Sequence, residues 1–458
     1  MIGIETIETS SLGDRSYLAT DGEVAVVVDP QRDIDRVLDL VAALQVRVTH
    51  VVETHVHNDY VTGGLELAQR TGAAYVLPAG SDVEFDHVSA VDGAVFETWQ
   101  LRLRVLHTPG HTHHHVSYVL EDADGAVQAV FTGGSMLYGS TGRTDLLGSE
   151  HTEALTHAQF HSVRRLARDL PADAQVYPTH GFGSFCSATP TTGDCSTVGE
   201  QQDRNPALTL DERAYVMQLL AGLDAYPAYY AQMGPINARG PEPWKPSAPE
   251  PVSAGALRER INAGEWVVDL RDRTAFAAGH IAGTLGFELS ENFVTYLGWL
   301  MPWGAPLIVI GESSDQVADA QRELGRIGID RLAGAAVGDT KALAGEDAPR
   351  SYRVADFATL AKEMMNRHVQ VLDARRNDER AEGYVTGSQH IPIHELPARI
   401  DEVAQGEVWV YCGSGYRASI AASMLDRPGR DIVLIDEEYA AAEDAGVQLN
   451  EPRTQHDQ

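Results

Sequence analysis

An unbroken apolar run at residues 24–28, closed by Asp29-Pro30, predicts a buried strand. Residues 33–44 then place Ile34, Val37, Leu38, Val41 and Leu44 at helical spacing, and the valine-rich run 46–52 predicts a second strand. This β-α-β order brings whatever follows Val52 to a strand's carboxyl end, where α/β folds place their ligands. A short helix over 65–71 stops near Gly72, and short strands separated by Gly and Asp turns continue to about residue 133. The alternation at 101–106, the run 127–131 and the run ending Val176-Tyr177-Pro178 each predict a strand.

The pattern breaks at Gly240-Pro241-Glu242-Pro243-Trp244-Lys245-Pro246-Ser247-Ala248-Pro249-Glu250-Pro251, which suits neither a helix nor a central strand. Beyond it the chain repeats itself. Val267-Val268-Asp269-Leu270-Arg271 recurs as Val371-Leu372-Asp373-Ala374-Arg375, and Gly279-His280-Ile281-Ala282-Gly283 as Gly383-Tyr384-Val385-Thr386-Gly387. The expected organisation is a first domain at 1–235, a semi-rigid linker at 236–252, and two copies of one α/β unit at 253–347 and 350–450, with a polar, frayed tail.

The 458 residues are 43% hydrophobic, enough for several cores, and no apolar run reaches the length of a membrane span. Met1-Ile2-Gly3-Ile4-Glu5 lacks the layout of a signal peptide, and three cysteines are too few for a disulfide framework, so a reducing, cytoplasmic setting is expected. The net charge of −31 argues against nucleic acid and anionic membranes as partners. An anionic substrate must then be drawn by local arginines and backbone dipoles. The oligomeric state stays open, a homo-oligomer included.

Candidate chemistry concentrates where strands end. His55-Val56-His57-Asn58-Asp59 follows strand 46–52 with metal-ligand spacing: imidazole and carboxylate suit zinc or non-haem iron, and the stretch offers no thiolate. His107-Thr108-Pro109-Gly110-His111-Thr112-His113-His114-His115 follows strand 101–106. Thr132-Gly133-Gly134, Gly142-Arg143-Thr144-Asp145 and Pro178-Thr179-His180-Gly181 come next. In this order the motifs resemble the metallo-β-lactamase superfamily, and Gly142-Arg143-Thr144-Asp145 resembles its persulfide dioxygenase branch, close to glyoxalase II. The resemblance covers roughly residues 1–230 and implies an αββα sandwich with a metal at one edge.

It also implies a ligand set of His55, His111 and an Asp at the position of Gly134. Glycine offers no ligand, and Tyr60 stands where a further His is usual, so a binuclear hydrolase site is not expected. His55, His57 and His111 remain as ligands for one divalent metal, Fe(II) favoured over Zn(II). Asp59, His180, His113, His114 and His115 are substitute ligands or their hydrogen-bond partners. Arg143 is expected to pair with a carboxylate of a glutathione-like persulfide, with Asp145 ordering its loop. Cys186 resembles a cysteine beside the metal pocket in dioxygenase–rhodanese fusions and is a candidate for sulfur relay; Cys195 has no assigned role.

In the second copy of the repeat, the run 408–411 enters Cys412-Gly413-Ser414-Gly415-Tyr416-Arg417, and a helix follows. A cysteine at a strand-to-helix turn sits inside a ring of main-chain N–H donors that lowers a thiol pKa and holds an anion, here by Gly413, Ser414, Gly415 and Tyr416 with Arg417 closing the ring. This resembles a rhodanese active loop, which implies that Cys412 carries a sulfane sulfur. The first copy has Gly311-Glu312-Ser313-Ser314-Asp315-Gln316 there, without a thiol, and is expected to be inactive. Its Phe293, Tyr296, Trp299, Leu300 and Trp303 suit core packing or an aromatic docking face.

The expected function is oxidation of a small thiol persulfide by O2, coupled to transfer of sulfane sulfur between a persulfide and an acceptor such as sulfite, giving thiosulfate. Two other readings stay open. One is a zinc-dependent thioester hydrolase with a rhodanese attached; the other is a metal-free scaffold presenting only the sulfurtransferase.

Overall fold

A computed structural model describes residues 2–189, 191, 193–345 and 348–450. The polar tail lies outside the described residues. Two units are distinguished, the first built on Met1–Lys245 and the second beginning at Pro246.

In the first unit six strands pair in chain order, from Gly3–Thr9 to Val88–Ala90. The first three are antiparallel and the rest parallel. Val24–Val28 and Arg47–Val52 lie side by side with Val28 opposite Val52, and the helix Asp35–Leu44 makes the crossover between them. A second sheet orders Gln175–Pro178, Val127–Gly133, Val116–Glu121, Leu101–His107 and Val95–Thr98.

Strand side chains alternate between faces, so each sheet has two layers to bury. Tyr17, Val26, Val28 and Val52 meet Leu103, Val105, Tyr118 and Phe131 between the sheets. Val27, Val51 and Leu77 face Val37 and Leu67 of the outer helices. Val119, Val130 and Val176 face Phe160, Val163 and Leu166 of the helix Ser149–Asp169. This is the expected αββα arrangement, and the run 24–28 is apolar throughout because both of its faces are covered. Truncating Phe131 to Ala would cost about 3–5 kcal/mol.

Two features depart from the sequence reading. The 21-residue helix Ser149–Asp169 is not announced by an apolar stripe, because Thr156, Gln159 and Ser162 share its buried face. Those polar groups clamp loops: Ser162 Oγ donates to Pro109 O at 2.6 Å, and the Gln159 amide donates to Ser135 O. The expected linker start at 236 is corrected to Gly240, since the helix Tyr230–Arg239 runs through Pro235. Pro235 removes one helical hydrogen bond. Asn237, farther along the helix, donates to His57 O at 2.9 Å and Tyr60 O at 2.8 Å, which holds the segment in place.

In the second unit both copies of the repeat form parallel sheets. The first orders Leu285–Gly286, Trp266–Asp269, Leu307–Gly311 and Gly334–Val337. The second orders Gln389–His390, Gln370–Asp373, Gly406–Tyr411, Arg430–Ile435 and, at the edge, Arg353–Ala355. Strand for strand the order is the same. The repeated Asp-x-Arg makes the same bonds twice: Arg271 donates to Asp269 at 2.6 Å and Gly279 O at 2.9 Å, Arg375 to Asp373 at 2.9 Å and Gly383 O at 2.7 Å. The helix Phe293–Leu300 is buried along its whole length, and only Trp303 of the aromatic stripe is exposed.

Candidate functional site

The loop from Glu53 to Gly64 leaves the carboxyl end of Arg47–Val52, beside the end of Val24–Val28 where Asp29 takes a left-handed φ of 49°. That turn aims the Asp29 carboxylate across the sheet edge. It accepts from Thr54 N at 2.7 Å, from Thr54 Oγ1 at 2.8 Å and from Thr179 Oγ1. One buried carboxylate thereby joins the first histidine loop to the last.

His55, His57, His111 and His180 are all buried, and their rings gather. Ring centres stand 4.2 Å apart for His55 and His57, 4.8 Å for His55 and His111, and 5.3 Å for His111 and His180. In each ring one nitrogen is held by the protein. Thr54 Oγ1 gives its proton to Asp29 and so accepts from His55 Nδ1 at 2.9 Å. His111 Nδ1 donates to Arg143 O at 2.7 Å, and His180 Nδ1 to Asp14 at 2.9 Å. His57 Nε2 lies 3.2 Å from Glu53, 3.3 Å from Asp29 and 3.0 Å from the Tyr60 hydroxyl. Tyr60 is thus a hydrogen-bond partner of His57.

Fixing the tautomer through one nitrogen leaves the other as a lone pair, the usual support behind metal ligands. Asp59 Oδ2 stands 3.0 Å from His180 Nδ1, whereas His111 Nε2 and His57 Nδ1 are buried without a hydrogen-bond partner. Each such group costs about 1–3 kcal/mol if left unsatisfied. His55 Nε2 and His180 Nε2 face each other at 3.3 Å. That spacing is the edge of a tetrahedron whose metal–nitrogen bonds are about 2.0–2.1 Å. The residues present therefore fit a divalent cation.

Electrostatics divides the rings. Burial, with the neighbouring imidazoles, pushes His55 well down and His111 down to about 3, so both offer neutral lone pairs. Burial also works against a charged His57, but Asp29 and Glu53 outweigh it and raise the ring to about 9. Asp59 and Asp14 likewise outweigh burial at His180 and push that ring well up. A cation must displace those protons to bind.

The place of the absent carboxylate is closed. A Cβ on Gly134 would collide with the His111 ring, and Gly134 N donates to His115 Nε2 at 3.0 Å. His115 Nδ1 meets Thr108 Oγ1 at 3.0 Å. Both His115 nitrogens are engaged, so the expectation that one of His113–His115 replaces the missing ligand is corrected. His113 and His114 are exposed and line, with Val56, Asn58 and Thr112, a pocket of about 290 Å³. Residues of both histidine loops thus form the pocket's wall.

Arg143 is also corrected. Its guanidinium forks onto Asp145 at 2.7 Å, donates to Asp224 O at 2.7 Å and Phe185 O at 3.2 Å, and stacks 4.4 Å over Tyr226. It braces its own loop and is taken up before any substrate carboxylate arrives. Sequence reasoning missed Asp14, Asp29 and Glu53; only the Asp29-Pro30 strand stop and the residue opening the histidine loop gave a signal. Cys186 comes in from the segment after His180. Its ligand atom and those of His111 and His180 lie within 4.8 Å of one another. Burial, then Asp59 and Asp14, push its thiol well up. Cys195 is exposed, and no cysteine is in a disulfide.

In the second unit, Cys412 follows Gly406–Tyr411 and is buried. Gly415, at φ 89°, turns the chain into the helix Tyr416–Leu425; a Cβ there would strike Asp436. Among the described residues, the N–H groups of Gly413, Ser414 and Gly415 find no main-chain acceptor, so they remain for an anion at the helix start. Arg417 lies at the loop's end, forked onto Glu379 with one contact at 2.7 Å. Burial alone would raise Glu379, but Arg417 holds it below the usual carboxylate range. Tyr416 donates to Glu288 O at 3.2 Å, and Tyr296 stands 5.8 Å from its ring, so the first copy of the repeat walls the thiol loop. In that first copy Gln316 fills the equivalent loop, accepting from Glu312 N at 2.8 Å.

Comparison with known proteins gives two family matches. The metallo-beta-lactamase superfamily model matches residues 14–180, and the rhodanese-like domain model matches residues 357–445. Human persulfide dioxygenase ETHE1 is 32% identical over 211 residues, 45% of this chain and 74% of that protein. A hydroxyacylglutathione hydrolase of Prochlorococcus marinus is 31% identical over 163 residues, 34% of this chain and 61% of that protein. The crystal structure of a metallo-beta-lactamase from Staphylococcus aureus is 28% identical with a TM-score of 0.66, covering 74% of this chain and 99% of that one. The chain belongs to the metallo-beta-lactamase superfamily, has ETHE1 persulfide dioxygenases among its homologues, and carries a rhodanese-like domain at residues 357–445.

Proposed function

We propose that this chain is a persulfide dioxygenase coupled to a thiosulfate-forming sulfurtransferase, working in a reducing compartment that suits its free thiols. The observation that carries the first half is the convergence of four buried imidazoles, each held through its other nitrogen, in a homologue of persulfide dioxygenases. A glutathione-like persulfide would react with O2 and water to give thiol, sulfite and two protons. Ferrous iron, held by His55, His57, His111 and His180, would supply the redox chemistry that zinc lacks. The chain's own residues hold the rings through their other nitrogens, and Val56, Asn58, His113 and His114 line an open pocket formed by the two histidine loops.

In the second half the Cys412 thiol takes the outer sulfur from a persulfide, leaving the thiol and an enzyme persulfide. Sulfite then attacks that sulfur, the enzyme S–S bond breaks, and thiosulfate leaves. The free N–H groups and Arg417 hold the anion during attack. One chain carrying both activities raises the effective concentration of sulfite at its consumer.

The test is metal identity and stoichiometry on the purified protein, with oxygen uptake on glutathione persulfide. Iron with oxygen uptake is expected. The hydroxyacylglutathione hydrolase relative supports a second reading, in which zinc and thioester hydrolysis without oxygen uptake are found instead. Absence of stoichiometric metal after anaerobic purification would leave only the sulfurtransferase.

A further inference from the structure

The histidine cluster has no carboxylate at 134, yet a thiol reaches it from another direction. Cys186 is fully buried, and its sulfur lies within 4.8 Å of a nitrogen of His111 and of His180. His111 Nε2 is buried and unpartnered. One residue sets both partners in place: Arg143 O accepts from His111 Nδ1 at 2.7 Å, while Arg143 N donates to Cys186 O at 2.8 Å. The guanidinium of Arg143 adds a bond to Phe185 O at 3.2 Å. The Gly-Arg-Thr-Asp loop therefore fixes the spacing between ring and thiol.

We propose that Cys186 is a metal ligand, its thiolate replacing the carboxylate that Gly134 cannot provide, beside His111 and His180. The inference rests on the metal centre proposed above and names its anionic donor. A thiolate bound directly to a buried dication offsets one unit of its charge, as the carboxylate would have done. Sulfur also selects iron, cobalt or zinc over magnesium and calcium. Ligation exchanges the S–H proton for the cation. The proton leaves to water or to a neighbouring carboxylate, and nothing is oxidised.

Titration of the metal-free full-length chain with Co(II) tests this. A near-ultraviolet thiolate-to-cobalt absorption is expected, lost in Cys186→Ser and kept in Cys195→Ser and Cys412→Ser. X-ray absorption of the zinc-loaded wild type is expected to show one sulfur neighbour at about 2.3 Å, a readout that needs no variant to fold. Cobalt bound by nitrogen and oxygen alone, or a band that survives Cys186→Ser, overturns the ligand assignment while the metal centre stands. A chain that binds no cobalt overturns both.

Discussion

Arg417 turns its two terminal nitrogens onto the carboxylate of Glu379, so the residue that closes the thiol loop is already paired inside its own domain. The pair fixes the guanidinium beside Cys412 and offsets its charge. A substrate anion at the loop is therefore opposed by Glu379. Glu379→Gln is expected to lower KM for thiosulfate about tenfold, the equivalent of about 1.4 kcal/mol, with kcat changed less. Steady-state rhodanese assays read this; a raised KM would mean that Glu379 serves chiefly to position Arg417.

Cys412→Ser removes the only thiol of either loop. Sulfur transfer is expected to vanish while oxygen uptake on a persulfide is retained. Transfer persisting in the variant rejects the assignment of Cys412.

Restoring the family carboxylate at 134 is not expected to restore a site. Gly134→Asp drives its Cβ into the His111 ring, and overpacking of this kind costs about 1–3 kcal/mol. Metal stoichiometry should fall. A rise in bound metal would show that the loops can part to admit a further ligand.

Arg143 acts on stability. Arg143→Lys loses the fork onto Asp145 and the reach to two carbonyls, with an expected loss of about 2 kcal/mol in thermal unfolding and an unchanged KM for a carboxylated persulfide. Raised KM with unchanged stability would return Arg143 to substrate binding.

Acid should loosen the second unit through Asp426, which joins His280 at 2.9 Å and Arg350 at 2.8 Å. Burial pushes this carboxyl up, but His280 and Arg350 outweigh it and hold it below its usual range. A lowered folded value means stability that is full above the unfolded value, about 3.9, and lost as pH falls through the folded one. Asp426→Asn is expected to cost about 3 kcal/mol at neutral pH and progressively less below about pH 4. Melting curves from neutral to acid check this; a difference constant with pH rejects it.

The sequence by itself determined the strands that end at the histidine loops, the order of the motifs, the repeat and the Cys412 loop. Apolar periodicity and motif spacing are local, and burial at Val24–Val28 or Gly406–Tyr411 shows directly in the run of residues. The tertiary structure decided which donors meet. Asp14, His55, His111 and the stretch from His180 to Cys186 lie far apart along the chain, and no spacing records that Asp14 holds the His180 ring or that Cys186 lies beside His111. It also decided that Arg143 and His115 are already occupied. A side chain's availability depends on hydrogen-bond partners far away in sequence, and those exist only once both sheets have packed.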